Sequence, residues 1–111
     1  MSKFLVMYHS PMSFEEQMAN ATPEQMQEGM APWMAWFGKM GSALVDYGVP
    51  LGKGATLTKD GQGPKTSQAA GYSIIEAGDL QAATAAVADH PHFLQPDNTI
   101  EVIEMMPMPG M

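Results

Sequence analysis

Between residues 71 and 106 the chain reads GYSIIEAGDLQAATAAVADHPHFLQPDNTIEVIEMM. Two apolar runs, 72–75 and 100–106, bracket an Ala-rich segment with helical spacing. That order is strand, helix, strand, a βαβ-type unit. The first half of the chain has the same grammar. Residues 3–9 form a strand with Phe4, Val6 and Tyr8 on one face and Leu5, Met7 and His9 on the other. Both faces are largely apolar, so both need a cover.

Residues 10–21 read as a polar connection with room for a short helical turn. The first helix starts at Thr22. Thr22 is a candidate N-cap, Pro23 suits the first helical position, and Gln25 stands where a capping box requires it. Its expected inward line is Met26, Met30, Trp33, Phe37, Met40 and Leu44, with Trp36 nearer the flank. Gly48 is the expected stop, and Pro32 the expected kink. Residues 49–58, broken by Pro50, Gly52 and Gly54, suit an edge strand with a bulge. The stretch KDGQGPK at 59–65 reads as a turn. Residues 68–77 read as the third strand. Asp79 can cap a helix over 80–88 whose inward residues are Leu80, Ala83 and Val87. A loop over 89–98 and a strand over 99–106 complete the pattern.

The expected fold is therefore α+β: a single ferredoxin-like βαββαβ domain over 1–111, with two helices on one face of a four-stranded antiparallel sheet. The other face would carry apolar side chains into water. A second copy packed face to face is the simplest cover, so a homodimer is expected.

Composition narrows the function. The net charge is −7 with five basic residues, which argues against nucleic acid and against an anionic membrane surface as partners. Without cysteine there are no disulfides, thiolate nucleophiles or Cys-type zinc sites. No stretch reaches the ~20 apolar residues of a membrane span, and the opening MSKFLVMYHS lacks the flanks of a signal peptide. The expected location is cytoplasmic. Twelve methionines raise Cu(I) as a ligand. Most of them fall on expected core faces, however, where thioethers act as flexible filler.

The order of KFLVMYHS, the helix TPEQMQEGMAPWMAWFGKMGSALVDYG, the turn DGQGP, the strand GYSIIEA, the segment ADHPHF and the ending TIEVIEMMPM resembles the YCII-related family in its DGPF-type branch. The resemblance spans nearly the whole chain. It implies a dimeric α/β barrel of two paired ferredoxin-like subunits, and it implies acid–base chemistry on a small cyclic or aromatic molecule by a His–Asp pair, with no organic cofactor. The Asp of that pair matches Asp89. Its His falls at Trp33, and the compact Asp-Gly-Pro-Phe is here DGQGP.

His9, at a strand end, is the substitute candidate for the base, with Asp89 as its orienter. The plainer reading is a hydrogen-bonded histidine at a strand end. Trp33 and Tyr72 are the candidate pocket walls, against the alternative that they are core. His90 and His92 would face one side of an extended backbone and offer a metal pair that needs a third ligand, for which Asp89, Asp97 and His9 are the candidates. The alternative function is a noncatalytic small-molecule-binding or accessory protein on the same dimeric fold.

Overall fold

Thr22 and Gln25 cap one another at the start of the long helix. The Thr22 hydroxyl accepts from the Gln25 N–H at 3.1 Å, and the Gln25 side chain accepts from the Thr22 N–H at 2.9 Å. The structure, a computed structural model, describes residues 1–110. Its strands and helices are β1 (Ser2–His9), α1 (Phe14–Ala19), α2 (Pro23–Met40), β2 (Leu44–Asp46), β3 (Ala55–Thr58), β4 (Gly61–Pro64), β5 (Ala69–Ala77), α3 (Leu80–Ala86) and β6 (Thr99–Glu104), with short 3-10 turns at Gly41–Ala43 and Pro91–Leu94.

A four-stranded antiparallel sheet has the order β2-β5-β1-β6. With α2 and α3 on one side, this α+β arrangement is compatible with a ferredoxin-like fold. Alternation along the strands sorts the residues. Phe4, Val6, Tyr8 and Ile75 are buried together with Trp36, Ala83 and Val87 beneath the helices. The alternate residues form the open face. There Leu5 lies between Ile74 and Ile103, and Met7 between Tyr72 and Glu101. Ile103 is 45% exposed.

Several expectations are corrected. First, α2 ends at Met40, not near Gly48. Gly41 takes a positive φ of 53° there, and Leu44 belongs to the edge strand. Gly48 also has a positive φ, but for another reason: a Cβ there would run into the Tyr72 carbonyl, so it permits close approach of the chain to β5. Second, the edge strand of the sheet is Leu44–Asp46 and not residues 49–58. Pro50 makes one bridge to Gly71, while β3 pairs with β4 in a separate hairpin built partly from the expected 59–65 turn. This hairpin makes no extensive packing with any other element. Third, the inward residue of α2 is Trp36, with Trp33, Phe37 and Met40 only partly buried. The helix overhangs the sheet, leaving Met26 and Met30 exposed. It turns Trp36 toward the small residues of α3, where the indole N–H donates to the Ala86 carbonyl at 3.2 Å. Pro32 lies within α2 without ending it. Likewise Asp79 caps α3 as its sequence position indicates, accepting from the Ala82 N–H at 2.8 Å, but Leu80 points to solvent.

The overhanging helix and standing-off hairpin leave a flat molecule, 45 × 45 × 22 Å, with a radius of gyration of 15.6 Å. A compact chain of this length would measure about 13 Å.

Candidate functional site

The covered face of the sheet contains polar groups as well as apolar ones. Ser10, Ser73, His90, His92 and Asn98 are all buried. Alternation on β1 and β5 brings Tyr8 and Ser73 inward. The turn after α3, with Pro91 starting a 3-10 turn, folds His90 and His92 under the sheet end. The Tyr8 hydroxyl lies 2.8 Å from Ser73 Oγ and 3.1 Å from His90 Nε2. His90 Nδ1 accepts the backbone N–H of His92 at 2.9 Å, and Ser73 Oγ donates to the Tyr47 carbonyl at 2.9 Å.

Valence then fixes the direction of the whole chain. With Nδ1 accepting, neutral His90 carries its proton on Nε2 and donates to the Tyr8 oxygen. Tyr8 donates to Ser73, and Ser73 to the carbonyl. His92 is oriented in the same way: Nε2 donates to the His9 carbonyl at 2.9 Å, leaving Nδ1 facing the Asn98 amide at 3.4 Å. Trp33 closes this network edge-on, its ring centroid 4.5 Å from that of His90 and 4.9 Å from that of Tyr8.

Burial sets the protonation states. It pulls His90 down to about 3, with the neighbouring His92 charge adding to the shift and Asp89 opposing it. His92 is lowered mainly by the same desolvation, against the carbonyls of His9 and Thr99. Tyr8 is pushed up to about 12 by burial, partly offset by Ser73. At neutral pH the network therefore holds no charge.

Outside this network, a groove of about 510 Å³ runs between α2 and the segment following α3. Pro32, Trp36, Pro91, Phe93 and Leu94 line it, His90 lies at its floor, and Lys39 and Asp89 lie at its rim. Lys39 and Asp89 pair at 2.9 Å, both exposed. The hydrogen bond from Lys39, then its charge, holds the Asp89 carboxyl below the usual range.

The four residues expected to form one site are separated. His9 lies on the open face, its Nε2 2.7 Å from Glu101 Oε1. Asp89 is on the helix side with Lys39, so His9 and Asp89 do not form an acid–base pair. The reason is the pleat: Tyr8, not His9, is the β1 residue that faces the helices. Trp33 and Tyr72 are also parted by the sheet, Trp33 against Tyr8 and Tyr72 beside Met7. His90 and His92 turn their rings to different partners: both nitrogens of His90 and Nε2 of His92 are engaged in internal hydrogen bonds, and the two rings lie 6.5 Å apart at 78°. Among the described residues, no group of three or more His, Asp or Glu is placed to hold a metal.

Tyr8, Ser73, Trp36, Lys39 and Asn98 are the site residues the sequence reading did not select. The signal for Ser73 was present: a hydroxyl on the inward register of an apolar strand needs a buried partner. A scan against models of known protein families finds no match, and a comparison with curated proteins finds none either.

Proposed function

We propose that the chain is a YCII-related protein that works as a homodimer of the dimeric α/β-barrel kind and binds a small cyclic or aromatic molecule without transforming it. The observation that carries the noncatalytic part is the state of His90. The resemblance expects an imidazole at position 33. Here an imidazole packs against Trp33 from position 90 instead, and both of its nitrogens are spent on internal hydrogen bonds. A base must reach the proton it takes, and His90 has no free lone pair to offer. The groove beside it supplies the binding surface: aromatic and apolar walls, with one donor and one acceptor at the rim. The open sheet face supports the dimer, since Leu5, Met7, Tyr72, Ile74 and Ile103 form one apolar surface.

Titration with 1-anilinonaphthalene-8-sulfonate, read by quenching of tryptophan emission, tests the groove. The expected result is saturable quenching that is lost in a Phe93→Ser/Leu94→Ser double variant. Quenching of equal affinity in both proteins would overturn the assignment.

A further inference from the structure

A second, smaller cleft of about 160 Å³ lies where the end of β1 meets the start of β5. That is the space of about five waters. Its position is fixed by the Ser10 N–H donating to the Gln68 carbonyl at 2.9 Å. Unlike the groove, this cleft has a polar lining, and its donors outnumber the acceptors they meet.

Ser10 is 4% exposed. Its Oγ accepts from the Met12 N–H at 3.3 Å and from the Gln17 amide at 3.4 Å. Its own hydroxyl proton goes to no acceptor among the described residues. Ser67, an exposed residue, accepts at Oγ from the Ala69 N–H at 3.4 Å and donates to none of the described residues. The Lys65 ammonium gives one hydrogen bond, to the Ala69 carbonyl at 2.8 Å. The ion pairs among the described residues are His9–Glu101 and Lys39–Asp89, so no carboxylate neutralises Lys65.

In a chain of net charge −7, the other unpaired lysines, Lys3, Lys53 and Lys59, are exposed, and Lys65 is the one part-buried lysine without a counter-charge. Its stem is also held in place. It crosses Gly54 so closely that a Cβ there would lie 3.0 Å from Lys65 Cδ. One carboxylate lines the cleft, that of Glu16, which accepts from the Ser13 hydroxyl at 3.1 Å. Glu16 repels an anion from its own side of the cleft and leaves the Lys65–Ser10–Ser67 side as the receptive wall.

We propose that this cleft binds a small oxyanion, a carboxylate or a phosphate group, with Lys65 supplying the charge and the Ser10 and Ser67 hydroxyls the remaining donors. Unspent hydroxyl protons and an unneutralised ammonium call for acceptor-only oxygens, and an oxyanion provides them.

Isothermal titration calorimetry with sodium phosphate and, separately, sodium acetate tests this, with chloride holding ionic strength constant. The expected result is a saturable isotherm with at least one of the two, and which one responds identifies the source of the oxyanion. Lys65→Gln should weaken binding about tenfold or more, Lys65→Arg should retain it, and Glu16→Gln should tighten it. Circular dichroism checks that each variant is folded. Absence of saturable heat with both anions, or an unchanged isotherm in Lys65→Gln, would overturn the proposal.

Discussion

Tyr8 and His9 are neighbours in β1, yet the sheet places them in opposite environments. Tyr8 faces the helices inside a network in which every donor has an acceptor. His9 faces the open side and holds a largely exposed Glu101 across the strand pair. The same alternation separates Ile75, fully buried, from Ile74, half-buried on the bare face. The covered face is energetically complete within one chain. The open face sets Leu5, Met7, Tyr72, Ile74 and Ile103 beside Lys3, His9, Glu76 and Glu101, and no helix of the chain covers it. The proposed dimer would cover the apolar part of that face with a second copy of the same chain.

The sharpest test of this contrast compares adjacent residues of β5. Ile75→Ala should cost about 2–5 kcal/mol in urea unfolding, because it empties a fully packed site. Ile74→Ala should cost about 1 kcal/mol or less within one subunit, its larger effect falling on association. Equal losses of subunit stability would break the contrast.

The next largest effect should come from Tyr8→Phe. Removing one hydroxyl strands the Nε2–H of His90 and leaves Ser73 Oγ without its donor, at a cost of about 1–3 kcal/mol. His9→Gln on the other side of the same strand should cost under ~1 kcal/mol, because its partner is exposed.

Acid should find the covered face before the open one. Unfolded His90 takes up a proton at its ordinary 6.5, whereas the folded residue resists until about 3. In that window the unfolded state binds more protons, so stability falls as pH falls. The slope for this one group is at most ~1.4 kcal/mol per pH unit. Tyr8 acts at the other limit: unfolded tyrosine ionises at 10.0 and the buried one at about 12, so stability falls as pH rises through that interval. Urea unfolding across pH should show both limbs, and His90→Gln should flatten the acid limb whatever its effect on the plateau.

The smallest effect belongs to Lys39 and Asp89. Both side chains are exposed, so Lys39→Met should leave unfolding unchanged in high salt, where such pairs are screened. A clear loss of stability there would show that the groove rim is structural.

Much of the frame was legible in the chain. Thr22 with Gln25, and Asp79 at its own cap, act through neighbours a few residues away, so local spacing suffices to place them. The two faces of β1 follow from the pleat. What was hidden depends on long-range contact. The rotation of α2 toward Trp36 is set by the small side chains of α3. The early end of α2 depends on Gly41, while Gly48 meets β5. The candidate site was legible only in its parts: His90, His92 and Asp89 stood out as titratable groups, but the partners that complete their hydrogen bonds, Tyr8, the His9 carbonyl and Lys39, are distant in sequence. Placing His9 with Asp89 failed because a strand end near a pocket says nothing about which face its side chain takes.

Sedimentation equilibrium of the purified chain, beside an Ile74→Lys variant, tests the open face most directly. The expected result is twice the 12.0 kDa subunit mass for the unmodified chain and a single subunit for the variant, with the helix-covered core intact in both. A 12.0 kDa species for the unmodified chain would contradict the reading of that face as half of an interface.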